Sequence, residues 1–291
     1  MRKIAWMLLL ALLVVPALGA QDREDVGAPE GPPPPAGPAG PLWEAPSAVL
    51  WDNGPLVTHP GAMPGGADES RLQVNLMMNT LGFGHQVLNG NWVADDFEVT
   101  AADGWTLDSA TFFAYQTGST TTSTITNVVW QIYDGQPGAG GMMIANGSGL
   151  VSSIFTNIYR TSDTTPSVTN RPIMASTVDL GGLALPAGTY WLAWQVDGTL
   201  SSGPWAPPVT ILGQTTTGNG LQDLANAGTW GPANDSGTLT QQALPFILEG
   251  EIVVVPVPSV LEIPTLGIAG LAALALLLGV ASLLFLRRRT A

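Results

Sequence analysis

The chain has 291 residues, with 22 acidic side chains, nine basic ones and no cysteine. A net charge of −13 disfavours nucleic acid and anionic lipid as partners. The missing cysteines exclude disulfide staples and thiolate zinc sites, so any folded domain must rest on its hydrophobic core.

Residues 1–20 open with Met1-Arg2-Lys3, run apolar from Ile4 to Val15, and end in Pro16-Ala17-Leu18-Gly19-Ala20. A basic start, a short apolar run and small closing residues predict a secretory signal peptide, cut after Gly19 or Ala20. The competing reading, a membrane anchor, is opposed by the shortness of the run and by the polar stretch Gln21 to Asp25 that follows it. Residues 21–46 contain four consecutive prolines, Pro32 to Pro35, and are expected to form an extended linker without a core of its own.

From residue 47 to 255 the pattern changes to short β-branched and aromatic runs separated by Gly, Pro, Asn and Asp. In "TLDSATFFAYQT", a strand places Leu107, Ser109, Thr111, Phe113 and Tyr115 on one face. In "NVVWQIYDG", Val128, Trp130 and Ile132 oppose Val129, Gln131 and Tyr133. In "GTYWLAWQVDG", Tyr190, Leu192, Trp194 and Val196 oppose Trp191, Ala193 and Gln195. "FILEGEIVVV" reads as a closing strand, and residues 214–230 as a long loop. Gln136-Pro137-Gly138 is a turn signal. No helical apolar period of useful length occurs in this stretch, so the fold class is all-β: an antiparallel, jelly-roll-like β-sandwich.

Residues 256–264 are an extended linker carrying the start of a motif, Ile263-Pro264-Thr265-Leu266, and residues 265–291 form the last segment. Gly267 to Leu286 is uncharged and long enough to cross a bilayer as a helix. Arg287, Arg288 and Arg289 then stop the span and mark the cytoplasmic side, leaving the body outside. Without the basic residues of both ends, the body keeps only Arg23, Arg71, Arg160 and Arg171 against all 22 acidic residues, a net charge of about −18.

Motif, span and terminal arginines together resemble the IPTL-type C-terminal sorting signal, a relative of the PEP-CTERM signals of Gram-negative bacteria. The resemblance covers residues 261–291. It implies an exosortase-type membrane protease-transpeptidase as partner, a hold at the inner membrane, and then transfer to the cell surface or extracellular matrix. A plain single-pass anchor is the alternative. The body is similar to a loose group of exported bacterial β-sandwich proteins, through Asp52-Asn53-Gly54-Pro55, Ala94-Asp95-Asp96-Phe97, Tyr115-Gln116-Thr117-Gly118, Gly188-Thr189-Tyr190-Trp191 and Gly203-Pro204-Trp205-Ala206. That group implies fold and location, not a reaction.

Motifs for chemistry are sparse. His59 and His85 stand apart, no lysine remains for a phosphate loop, and Gly147-Ser148-Gly149 has the wrong spacing for a nucleophile elbow. No enzyme activity and no cofactor are therefore expected. Asp95 and Asp96 face opposite ways on a strand, so one points inward or toward a loop partner and needs backbone donors, an arginine, or a metal such as calcium with help from Asp134 or Asp52. Of the tryptophans, Trp130 and Trp194 read as core. Trp205 and Trp230 sit in loop-like sequence and are the candidates for stacking on surface polysaccharide.

Overall fold

The computed structural model describes residues 21–28, 41–46, 48–254 and 267–289, and within them fifteen strands and one long helix. The expected signal peptide, the proline run 32–35 and the motif 263–266 lie outside the described residues. In chain order the strands are β1 (Arg23–Asp25), β2 (Val49–Asp52), β3 (Asp68–Leu72), β4 (Thr80–Gly84) and β5 (Trp92–Val99). There follow β6 (Trp105–Ala114), β7 (Ile125–Tyr133), β8 (Met143–Gly149), β9 (Ser152–Ser162) and β10 (Pro172–Leu185). The last five are β11 (Gly188–Gly198), β12 (Trp205–Ala206), β13 (Leu221–Asp223), β14 (Gly231–Pro232) and β15 (Phe246–Ile252).

Two six-stranded sheets, ordered β2-β15-β6-β10-β9-β3 and β14-β13-β5-β11-β7-β8, form the sandwich. Pairing is antiparallel except between β3 and β9. A small third sheet, β1-β4-β12, completes the body. The main core lies between the large sheets, where strand alternation delivers apolar side chains from both. Val128, Trp130 and Ile132 of β7 and Tyr190, Leu192, Trp194 and Val196 of β11 enter it from one side. Phe112 and Phe246 meet them from the other, with ring centroids 5.1 and 5.8 Å from Trp194. The opposite face of the β5–β11–β7 sheet is also apolar: Trp92, Trp191 and Ala193 form a second cluster there, with Val129, Tyr133 and Trp230 packed against it. Both faces of β7 and β11 thus divide as their alternation predicts.

Strand β6 departs from simple alternation. Against β15 the register passes from Ser109 to Leu107 while β15 advances only from Glu249 to Gly250, so Asp108 is an extra residue there; against β10 the extra residues lie on β10, between Asp179 and Leu183. This bulge moves Leu107 onto the face of Ala110, Phe112 and Ala114 in the main core, while Phe113 and Tyr115 fill a separate cluster. The single face expected for Leu107 through Tyr115 is corrected accordingly.

The expected linker is corrected at both of its described ends. Arg23–Asp25 is a strand on β4, and Trp43 donates its backbone N–H to Phe155 O (2.9 Å) while its ring meets Phe113 edge-on at 5.8 Å. Its apolar pattern is silent because β1 is held by charge, as described below. The stretch 214–230, expected as a loop, contains β13, which pairs with β5.

By its contacts the chain divides after Val253, and the second unit contains one helix, α1 (Ile268–Arg287). Its 20 residues have a mean hydropathy of 2.5 and span roughly 30 Å at 1.5 Å per residue. That matches the hydrocarbon thickness of a bilayer, so the helix is long and apolar enough to anchor in a membrane. Arg287 closes its last turn, and Arg288 and Arg289 follow at once.

Candidate functional site

Alternation along β5 sends Val93, Asp95 and Phe97 toward the core and leaves Asp96 half-buried on the other face. Asp95 is buried, and its carboxylate is fully occupied by donors. Oδ2 accepts from the Asn53 side-chain amide (2.9 Å) and the Leu244 backbone N–H (2.7 Å), and Oδ1 accepts from the Asp96 N–H (2.9 Å). Asn53 also donates to Leu244 O at 2.9 Å. Asp95 therefore ties the chain after β2 and the chain before β15 onto β5, a clamp between the two large sheets. Burial pushes its carboxyl up to about 7, against the pull of these donors.

The other acidic candidates lie in turns of their own. Asp134 Oδ1 accepts the Met142 N–H (2.6 Å) and closes the β7–β8 connection, and Asp52 Oδ1 accepts the Gly54 N–H (3.1 Å). Among the described residues no three Asp, Glu or His side chains gather as metal ligands would.

Trp205 and Trp230 are half-buried rather than exposed. Trp205 pairs with Gly84, packs against the Phe113–Tyr115 cluster and donates its indole N–H to Ser202 Oγ (3.2 Å). Trp230 lies on the aromatic cluster outside the main core and covers Gly138, where an added Cβ would stand 3.1 Å from its ring. The turn Gln136-Pro137-Gly138 is thus shaped to receive that ring. Trp130, Trp191 and Trp194 are buried.

All four arginines of the body have structural partners. Arg171 and Glu24 are both buried and joined at 3.1 Å, and Thr117 donates to the same Glu24 oxygen at 2.7 Å. This pair holds β1. Arg160, also buried, donates to Leu81 O (2.8 Å), Ser70 Oγ (3.1 Å) and Thr210 Oγ1 (2.9 Å), and burial lowers it to about 10. Arg71 pairs with Glu69, and Arg23 with Asp25 at 3.6 Å. His59 lies 3.8 Å from Glu69 with Nδ1 3.0 Å from Thr58 Oγ1. His85 is completely buried, and neither ring nitrogen has a partner among the described residues. Burial holds its imidazole down at about 3, so it is neutral at physiological pH.

A cavity lined by described residues has ligand dimensions. It measures about 300 Å³ and is walled by Pro41, Leu42, Pro64, Phe155 and Tyr159, with polar groups from Thr121, Asn157 and Tyr159. Its floor comes from an irregularity in β9. Phe155 pairs with Met174 and Tyr159 with Pro172, so three residues of β9 face a single residue of β10. Thr156 holds this bulge together: its hydroxyl donates to Ile173 O (2.8 Å) and accepts the Ile158 N–H (3.1 Å). Asn157 is thereby set at φ 65°, a left-handed conformation that asparagine tolerates better than most residues. Phe155 and Tyr159 sit 5.0 Å apart and tilted at 56°, and Trp43 bonds the edge of β9 beside them. Met174 pairs with Ala114 on β6, whereas the outgoing Ile252 pairs with Trp105. The cavity is therefore roughly 30 Å along the sheet from the point where the chain leaves the body.

No protein family, curated protein or solved structure matches this chain. Its functional reading rests on the arrangement just described. The cavity residues carry no motif. The one local sign is Asn157 inside the run "SSIFTNIYR", a turn-forming residue where a β-branched one is expected. Pro41 and Leu42 were hidden by the composition of their proline-rich neighbourhood.

Proposed function

We propose that this chain is an exported bacterial surface protein without a reaction of its own. Its β-sandwich is held at the inner membrane by α1 and passes to the cell surface or extracellular matrix by way of an IPTL-type sorting signal. The observation that carries this reading is α1 itself: nineteen uncharged, almost wholly apolar residues from Ile268 to Leu286, then Arg287, Arg288 and Arg289. The partner it implies is an exosortase-type membrane protease-transpeptidase acting near Ile263-Pro264-Thr265-Leu266. Pro264 supports such access, because proline biases the preceding residue toward extended backbone and cannot donate a hydrogen bond. The non-enzymatic reading is supported by two buried carboxylates, Asp95 and Asp235, whose oxygens are all occupied by protein donors.

The test combines fractionation of cells with mass spectrometry of the mature termini. The expected species are a membrane-bound form with α1 and an outer form that ends near Pro264. Intact protein in the cytosol would refute the tether. A mature outer protein that keeps Arg287 to Arg289 would refute processing and leave a plain anchor.

A second reading is a binding module for surface carbohydrate, and the cavity at Phe155 and Tyr159 favours it. The calcium dependence considered for such a module draws its candidate ligands from Asp95, Asp96 and Asp134. The donors on Asp95 and Asp134 count against that use.

A further inference from the structure

We propose that the cavity beside Phe155 and Tyr159 binds a single ring of a neutral sugar, and does so without a metal ion. The inference rests on the binding-module reading and is independent of how the protein is anchored.

The argument is one of matching chemistry. The volume, about 300 Å³, lies at the lower end of small-ligand pockets and admits one ring rather than a long chain. The walls are rings and aliphatic groups: Phe155, Tyr159, Pro41, Leu42 and Pro64. An occupant must therefore present apolar faces. The polar groups are the Asn157 amide, the Tyr159 phenol and the Thr121 hydroxyl, none of which makes a side-chain hydrogen bond among the described residues. Each is neutral, and each can both donate and accept. A ring bearing hydroxyls on an apolar carbon skeleton meets both demands at once.

The same observations reject the nearest competitors. An anionic ligand finds no cation in the lining, in a body whose four arginines are all committed elsewhere. A cationic ligand finds no carboxylate in the lining. An extended peptide adding to the β9 edge finds Phe155 O already taken by the Trp43 N–H. A calcium-bridged sugar needs oxygen ligands of high charge, and the lining has none. The bulge supplies positive support. It costs a non-glycine residue in left-handed backbone, held by the Thr156 hydroxyl, and it turns Asn157 to the cavity lining.

The test is titration of the full chain, kept in lipid nanodiscs or a detergent without a sugar headgroup. The probes are glucose, galactose, mannose, N-acetylglucosamine and their short oligomers, read by calorimetry or saturation-transfer NMR. At least one probe is expected to bind, unchanged by EDTA. Asn157→Gly removes the amide while suiting the left-handed backbone, and Tyr159→Phe removes only the phenol oxygen. Each is expected to weaken binding about fivefold to tenfold with an unchanged melting temperature. Trp205→Ala and Trp230→Ala, at the sequence-derived stacking positions, are expected to leave affinity unchanged once folding is verified. Absence of binding up to about 10 mM sugar overturns the proposal. So does binding abolished by EDTA, or binding that both cavity variants leave intact. These outcomes are read apart from fractionation, so a failed sugar site and a failed tether are told apart.

Discussion

His85 and Asp95 are both buried in the body, and they are expected to give opposite pH dependences that largely conceal each other. The His85 imidazole titrates at about 3 in the folded protein and near 6.5 when unfolded. Between those values the unfolded chain binds a proton that the native chain refuses, so stability is lost as pH falls. From pH 7 to pH 5 this amounts to about 2 kcal/mol, at 1.36 kcal/mol per unit below 6.5. Asp95 works in reverse. Its carboxyl titrates at about 7 when folded and near 3.8 when unfolded. Over that interval the native chain keeps a proton that the unfolded one releases, so stability rises by about 2–3 kcal/mol from pH 7 to pH 5. Together the two slopes nearly cancel.

The perturbation is His85→Leu, which removes the titration and also replaces two unpartnered ring nitrogens with apolar surface. Urea unfolding of the full chain in micelles, followed by tryptophan fluorescence, is the assay, because Trp194 at the centre of the core reports its loss. The stability of His85→Leu relative to wild type is expected to be about 2 kcal/mol more favourable at pH 5 than at pH 7.5. Asp95→Asn is expected to move the other way, losing about 2–3 kcal/mol relative to wild type over the same interval. Equal differences at both pH values for His85→Leu would show that the buried imidazole has a partner or is already charged, and the reasoning would fail.

Three further outcomes follow from the same contacts. Arg171→Met leaves Glu24 buried without its cation and is expected to cost about 3–5 kcal/mol, seen as a lower urea midpoint; adding Glu24→Leu should restore much of it. Asp235, which accepts from the backbone of Asn79, Thr80, Gly237 and Thr238, is expected to lose about 3 kcal/mol or more as Ala, by the same measurement. Burial opposes ionisation of its carboxyl, but these donors outweigh it and hold it below its usual value, so its share of stability is lost only in strong acid. Gly147 lies against Trp130, where an added Cβ would stand 2.6 Å from the indole; Gly147→Ala is expected to lower the melting temperature by several degrees in a calorimetric scan.

What the sequence announces in advance is whatever depends on period. Strands β7 and β11 carry strict alternation of large apolar residues, and their two faces could be assigned residue by residue. The inward turn of one of the Asp95–Asp96 pair follows from the same geometry. The membrane-length run of α1 is legible for a related reason, since a uniform apolar composition needs no partner to be recognised. Strand β1 has no such signal. Its central residue is Glu24, and a glutamate is buried only because Arg171, 147 positions away, waits for it. No local pattern can report a pairing of that separation.

The bulges at Asp108 and Asn157 fall between these cases. Each inserts residues into a strand whose flanking alternation is intact, and each is centred on a polar residue that turns favour, Asp108 or Asn157. At Asp108 the consequence is structural, since Leu107 changes face and joins the main core. At Asn157 the insertion opens a cavity instead, because the segment at Pro41 and Leu42 closes over it from outside the strand register. The proposed site is therefore a product of two departures from period, one within β9 and one from a segment whose composition argues against any packing. That is why the loop tryptophans drew attention in the sequence, while Phe155, Asn157 and Tyr159 became visible only once β9 was seen beside its neighbours.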